Sequence, residues 1–263
     1  MRRISAFVLT SIILLSTSCL KTKSNSNTNN PASIAFVNVA PGAPPFQVSV
    51  DDAKVGTQAD FPYGNYPMNA DSSIKYLQEF AGIHSVAFID DTTTSSNNIL
   101  VSGQTQFSKG FKYTIYLYDT VNANGLNAVQ LQDTYDSIPY NQCLFRFLNF
   151  SPNSPPLSVI AHYPDDTLVT ILNNQSYVGS ASYSTASLSQ YITIPPAGYG
   201  GATKPYVITL SQYNGFNTTP GPPVVDSFSM ALAPNHAYTL VITGLIGDST
   251  DSKGYQHFLI HMN

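Results

Sequence analysis

A thirteen-residue stretch occurs twice in this chain, as FVNVAPGAPPFQV from Phe36 and as FLNFSPNSPPLSV from Phe147, 111 residues later. Phe, Asn, Pro, Pro, Pro and Val recur in one spacing, at Phe36, Asn38, Pro41, Pro44, Pro45 and Val48 and again at Phe147, Asn149, Pro152, Pro155, Pro156 and Val159. That period is too long for a solenoid repeat and suits a whole small domain. The expected organisation is therefore two tandem modules, residues 33–138 and 139–263.

Two further correspondences keep the same order. Tyr76 with Ala81-Gly82 answers to Tyr191 with Ala197-Gly198, at an offset of 115 to 116, and Phe107 to Thr114 answers to Leu232 to Thr239, at an offset of 125. The growing offset places insertions in loops between strands that keep their sequence.

The composition selects strands. Glu79 is the only glutamate, the other acidic residues are all Asp, and the chain is rich in Thr, Tyr, Val, Ile, Phe, Asn, Gly and Pro. Strong helix formers are scarce and β-favouring residues abundant. Alternation bounded by turn residues predicts strands at 33–39, 46–51, 74–79, 83–89, 99–107, 112–118 and 127–132. The second half gives 144–150, 157–163, 167–172, 189–194, 205–212, 224–232, 237–243 and 255–262. About seven strands in roughly 110 residues matches an immunoglobulin-like sandwich, so the expected fold is all-β: two tandem immunoglobulin-like antiparallel β-sandwich domains. Helices, if present, are single turns.

The amino-terminal residues read as an export signal. Arg2 and Arg3 precede an apolar run from Ala6 to Leu15 that is too short to span a bilayer as a helix, and Ser16, Thr17 and Ser18 lead into Cys19. This resembles the lipobox of bacterial lipoproteins, in which residues 1–18 are removed and the cysteine is acylated. It departs from the usual pattern in that Leu15 lies four residues before Cys19, with Ser16 at the customary Leu position. The alternative is an ordinary secretory signal with an incidental cysteine. Acylation at Cys19 would anchor the protein durably, at about 0.8 kcal/mol per buried methylene. Residues 19–32 are polar and Ser/Asn-rich and form the lipidated tether, holding the first module on the order of 20 Å from the bilayer. The expected address is the Gram-negative cell envelope at the outer membrane. Lys21 and Lys23 leave open whether the protein faces the periplasm or the surface.

Without Arg2 and Arg3, nine basic residues face fifteen acidic ones, a net charge near −6, and the basic residues do not cluster. Nucleic acid is a poor partner for such a surface. With Cys19 acylated, Cys143 is the one remaining thiol, so no intramolecular disulfide forms and stability rests on packed cores.

Two structural roles follow from the motifs. Phe107 and Leu232 each precede a turn and then a Tyr six residues on, the pattern of a tyrosine corner, so Tyr113 and Tyr238 are expected to bury their rings and return their hydroxyls to the turn backbone. In the repeated motif the prolines supply carbonyls but no amide donors, and Asn38 and Asn149 are expected to brace that loop by donating to those carbonyls.

The lipobox, the paired FxNxAPxxPP-type starts, and the AG and YT segments together resemble the bacterial domain of unknown function family 4397, over residues 33–263. The resemblance implies secreted or lipid-anchored β-sandwich proteins and supplies no activity.

Candidate sites are few. His257 and His261 mimic an HxxxH pair, but YQHFLIHM reads as a strand in which they lie roughly 13 Å apart, too far to chelate one ion. His84, His162 and His236 read as isolated. Asp51-Asp52, Asp90-Asp91 and Asp165-Asp166 read as turns, and the loop 248–254, with Asp248 and Asp251, is the least unsuited place for calcium. No metal or cofactor site is assigned. GxSxG and P-loop motifs are absent, and Cys143 shares a strand face with Phe145 and Phe147, which predicts an inert buried thiol.

Aromatic residues are the better lead: seventeen Tyr and no Trp, with Tyr63, Tyr66, Tyr199, Tyr206, Tyr213 and Phe216 in or beside Gly/Asn/Pro-rich loops. Tyr63, Tyr66, Tyr199 and Tyr213 are the candidate ligand-binding set, and packing is the competing explanation for them. The expectation is a non-enzymatic envelope lipoprotein, a structural, adhesion or binding module whose partners are the membrane through its lipid and an envelope protein or glycan. An accessory carbohydrate-binding lipoprotein using the loop tyrosines is the alternative. An enzyme with a cross-strand Asp pair is third.

Overall fold

The computed structural model describes residues 31–262 apart from 56–60, 62, 65, 70, 91, 93–97, 121–124, 134, 164–166, 181–182, 199–203, 214–222 and 251–252. The first half contributes β1 (Ala32–Asn38), β2 (Phe46–Val50), β3 (Ala53–Lys54), β4 (Leu77–Glu79), β5 (Gly82–Asp90), β6 (Ile99–Phe107), β7 (Lys112–Tyr118) and β8 (Asn127–Gln132). The second contributes β9 (Cys143–Phe150), β10 (Leu157–His162), β11 (Leu168–Gln175), β12 (Ile192–Ile194), β13 (Tyr206–Gln212), β14 (Val224–Met230), β15 (Ala237–Thr243) and β16 (Gln256–Met262), with one helical turn, α1 (Thr185–Leu188).

These strands form four four-stranded sheets. The first half has orders β4-β1-β7-β8 and β3-β2-β5-β6; the second has β12-β9-β15-β16 and β11-β10-β13-β14. Adding eight to each strand number converts the first pair of orders into the second, so the repeat visible in the motif extends to the whole topology. The all-β, two-sandwich expectation holds. One ladder in each half departs from a purely antiparallel pattern: β1 runs parallel to β7, and β9 parallel to β15.

Local chemistry explains the turns. The two-residue β3, which alternation does not announce, closes a hairpin on β2 with Val50 opposite Ala53. Asp51 and Asp52 fill its turn at φ 50° and 65°, the left-handed pair that a tight hairpin demands and that Asp tolerates. The two proline loops form the same turn, with the Ala43 N–H donating to the Ala40 carbonyl at 3.0 Å and the Ser154 N–H to the Ser151 carbonyl at 3.1 Å.

Asn38 and Asn149 brace those loops, but with the opposite polarity to the one expected. The side-chain oxygens accept from the Ala40 N–H (3.2 Å) and the Ser151 N–H (3.1 Å). The Asn38 amide donates outside its loop, to the Phe61 carbonyl at 2.9 Å, while the Asn149 amide donates both to Ser154 Oγ within its loop at 3.1 Å and to the Gln175 carbonyl at 3.2 Å. Each buried Asn thus holds the start of its own loop and ties it to a distant segment.

Both tyrosine corners form. The Ser108 N–H donates to the Tyr113 hydroxyl at 3.2 Å and the Ala233 N–H to the Tyr238 hydroxyl at 3.0 Å, and both residues are buried. Phenylalanine at either position leaves that N–H without its acceptor, so each variant should lose about 1–2 kcal/mol. The check is thermal unfolding, and an unchanged Tm in both Tyr113→Phe and Tyr238→Phe would remove the role.

The described residues form three cores, not two. Ile34, Phe36, Phe46, Val48, Phe88, Ile115 and Leu117 fill the first sandwich. Phe145, Phe147, Leu157, Val159, Ile208, Leu210, Leu240 and Ile242 fill the second. The third core takes the opposite faces of the inner sheets: Ala35, Val37, Val39, Tyr116 and Leu131 from the first half meet Leu148, Phe150, Val241, Ile260 and Met262 from the second. The layers are therefore stacked four deep, with the sheets containing β1 and β9 in the middle. This stacking explains why β9 and β15 are buried along their whole length.

Candidate functional site

The inter-sandwich face holds the most concentrated polar chemistry of the described residues. Arg146 lies mid-β9 with its side chain in the third core, and its guanidinium meets Asp133 Oδ1 at 2.7 Å, with both side chains essentially excluded from solvent. The Arg146 Nε donates to Thr239 Oγ1 at 3.1 Å and Nη1 to the Gln132 carbonyl at 3.2 Å, while the Tyr191 ring lies 4.7 Å from the guanidinium carbon. The second oxygen of Asp133 accepts from Tyr76 at 3.1 Å and from Thr114 at 2.5 Å.

Tyr76 and Tyr191, the pair matched between the halves in sequence, thus serve one cluster from two sides. Burial and then the Asp133 charge hold the Tyr76 phenol far above its usual range, so it remains a neutral donor. Both oxygens of the carboxylate and three donors of the guanidinium are engaged, and the arrangement fixes their orientation. Arg146 and Asp133 are not among the candidates that the sequence offers; the signal for Arg146 is a charge inside the largely apolar run of β9.

The loop tyrosines divide. Tyr63 donates to the Gly254 carbonyl at 3.2 Å and lies 3.5 Å from Thr243 Oγ1, and burial pushes its phenol up to about 12. Tyr66 donates to the Leu259 carbonyl at 3.1 Å and stacks on Phe258 at 5.9 Å. Both reach across from the first half to the second, so their hydroxyls and the Tyr66 ring are engaged in joining the halves. Tyr213 is half-buried beside β13, its N–H bonded to the Pro156 carbonyl at 2.7 Å. Tyr206 is a core residue of β13, donating to the Pro195 carbonyl at 2.7 Å. Tyr199, Phe216 and Cys19 lie outside the described residues. The structure brings Tyr63 and Tyr66 together at the junction and places Tyr213 elsewhere, among the β10 and β13 strand ends.

The histidines are more engaged than their sequence context indicates. His84 is buried, with Nδ1 2.9 Å from Asp51 Oδ2, Nε2 2.8 Å from the Phe80 carbonyl and its ring on Phe107. The Ser85 N–H, and to a lesser degree His84, hold the Asp51 carboxyl below its usual range. His236 packs 4.7 Å from His261, so neither it nor His84 is isolated. His257 and His261 lie on β16 as expected, but in separate settings: His257 Nδ1 is 2.7 Å from Asp226 Oδ2, while His261 stacks on Tyr238.

Cys143 is buried in the second core beside Phe145 and Phe147, as read from alternation. Its thiol donates to the Ala233 carbonyl at 3.0 Å, and burial pushes it up to about 11. Asp90 and Asp248 each accept from the N–H two residues on, the bond of a turn; Asp91, Asp165, Asp166 and Asp251 lie outside the described residues. Among the described residues no three His, Cys, Asp or Glu side chains assemble a metal site.

Residues 32–160 match the family model of a domain of unknown function, DUF4397, a stretch that runs from β1 into β10 and contains both copies of the repeated motif. No functionally curated protein matches the sequence. Three similar solved structures are provisionally named cell adhesion proteins. The Bacteroides fragilis protein is 10% identical with a TM-score of 0.23, over 89% of this chain and 98% of that one. The Bacteroides eggerthii protein is 9% identical with a TM-score of 0.25, over 91% and 98%. The Bacteroides uniformis protein is 8% identical with a TM-score of 0.22, over 89% and 98%.

Proposed function

We propose, for a chain that belongs over residues 32–160 to the DUF4397 family, that it acts as a non-catalytic binding or adhesion module of the cell envelope, held at the outer membrane by lipid on Cys19. The observation that carries this reading is how the fold uses its reactive side chains. Arg146 and Asp133 join the halves, Cys143 is a core residue with a raised thiol, and Tyr113 and Tyr238 hold turns. Groups that would perform catalysis elsewhere are here committed to fixed joints, and the result is a stacked scaffold suited to presenting surface. Its partner in this reading is an envelope protein or glycan, consistent with a net negative chain and the absence of any basic cluster in the sequence. Among the described residues no helix is long and apolar enough to cross a membrane; in this reading the attachment is the lipid on Cys19.

Fractionation of cells expressing wild type and Cys19→Ser tests the anchor. Wild type should sediment with membranes and carry an acylated amino terminus at Cys19 by mass spectrometry, and the variant should move to the soluble envelope fraction. Equal sedimentation of the two proteins would overturn the anchor. Crosslinking on intact cells then tests the binding role, which requires a discrete envelope protein or glycan to be captured with wild type. Capture of nothing above an unrelated anchored control would count against it.

A further inference from the structure

The two sandwiches share a topology but differ, among the described residues, along the side where their outermost strands meet. In the first half those strands are β6 and β8, and between them lies a cavity of about 260 Å³ whose lining includes the apolar Val86, Phe88, Val101 and Ile115 and the polar Thr105 and Gln130. Strand register gives the matching positions in the second half. Val48 and Val159 correspond in the repeated motif; Val48 pairs with Phe88 and Val159 with Leu210. Two residues back along each of those strands, Val86 faces Gly103 and Ile208 faces Phe228. From the two corner tyrosines the same count sets Leu117 against Ala128 and Ile242 against His257.

Gly103 and Ala128 therefore occupy the positions that Phe228 and His257 hold in the second sandwich. There the two rings stack at 3.8 Å with only 12° between their planes, and Asp226 fixes the imidazole at 2.7 Å. That stack covers the corresponding place in the second sandwich, with Phe228 half-buried against its core. The first has no side chain at Gly103 and a methyl group at Ala128, and a Cβ built on Gly103 meets nothing within 4 Å. The next inward-facing pair continues the contrast: Thr105 and Gln130, hydrogen-bonded to each other, stand where Met230 and Leu259 stand in the second half.

We propose that the β6–β8 cleft of the first sandwich is a binding site for one flat aromatic ring bearing a polar edge group, the chemistry of an indole or a phenol. The apolar part of the lining covers the ring faces, the remaining hydrogen-bonding capacity of Thr105 and of Gln130, whose amide also donates to the Gln106 carbonyl at 3.0 Å, meets the polar edge, and the second sandwich holds rings at the corresponding place. The ring could belong to a free aromatic compound or to a side chain of an extended polypeptide laid along the edge strands. This inference deepens the binding-module reading by naming what is bound.

The chain contains no tryptophan, so indole fluorescence reports on the probe alone. Detergent-solubilised full-length protein is titrated into N-acetyltryptophanamide and, separately, into a nine-residue Thr/Val-alternating peptide with a central tryptophan. Saturable blue shift and rise in anisotropy are expected, with Kd on the order of a millimolar for the amide, as befits so small a ligand. A peptide at least tenfold tighter identifies a polypeptide as the source, and equal affinities identify a free aromatic compound; either supports the site. Gly103→Phe, which imitates the second sandwich, should weaken binding at least tenfold. Ala128→Phe, from the opposite wall, should do the same and decides the matter if circular dichroism shows Gly103→Phe misfolded. Non-saturable signals, or saturable binding indifferent to the folded variants, would overturn the proposal. That failure would leave the lipid anchor and the capture of an envelope partner to their own tests.

Discussion

Arg146→Ala should destabilise the protein by about 3–5 kcal/mol, because it leaves the Asp133 carboxylate charged, buried and facing the space its partner filled. Asp133 would keep Tyr76 and Thr114 as donors, but neither is a cation, and the third core admits little water to substitute. Asp133→Ala should cost a similar amount by stranding the guanidinium among Thr239, the Gln132 carbonyl and the Tyr191 ring. Replacing both together, as Arg146→Met with Asp133→Leu, should recover most of the loss or exceed wild type, since an apolar pair of similar volume avoids desolvating two charges. Urea unfolding of the four proteins measures these differences. A loss below about 1 kcal/mol for Arg146→Ala would mean that the pair is hydrated in solution and is not the joint described above.

The cost matters because the joint is asymmetric. In the first half, Ala35 stands at the register position that Arg146 holds in the second, and Met262 ends β16 where Asp133 follows β8. The two inner sheets are alike in topology and could be approximated in more than one relative placement by apolar contact alone. A single buried ion pair favours the placement in which charge meets charge and penalises others, which is the role for which buried polar groups are best attested.

Much of the fold is legible in the sequence for a definite reason. The repeated proline motif marks the β1–β2 and β9–β10 corners, and alternation gives β6, β7, β8 and β15 their observed bounds. The third core is less obvious because period-2 alternation signals a sheet with one wet face. The strands buried on both faces instead read as continuous apolar runs, IAFVNVA in β1 and its exit and CLFRFLNF in β9. Those runs were the trace of the stacking, and Arg146 within the second of them was the trace of the joint. The tyrosines illustrate the opposite limit: Tyr63 and Tyr66 have the loop context of a ligand surface, and only the long-range arrangement turns them onto the second half. The cleft is harder still to foresee, since Gly103 in a strand signals merely a weak point until register sets it beside Phe228.

Phe150→Ala provides the second large effect and tests whether the halves are one thermodynamic body. Phe150 ends β9 in the second half, but its ring packs 5.0 Å from Tyr116 and 5.7 Å from Tyr118 of β7 in the first, and it is fully buried. Truncation removes a ring from a closely packed three-way contact and leaves a cavity that two rigid sheets cannot collapse around, at about 3–5 kcal/mol. If the third core couples the sandwiches, wild type unfolds in one transition, and the variant loses amide protection in β7 as well as in β9 and β15. Hydrogen exchange followed by mass spectrometry resolves these strands. Loss confined to β9 and β15, with β7 protected as in wild type, would mean that the first sandwich stands without the second. The stacked faces would then be a contact between independent domains and not a shared core.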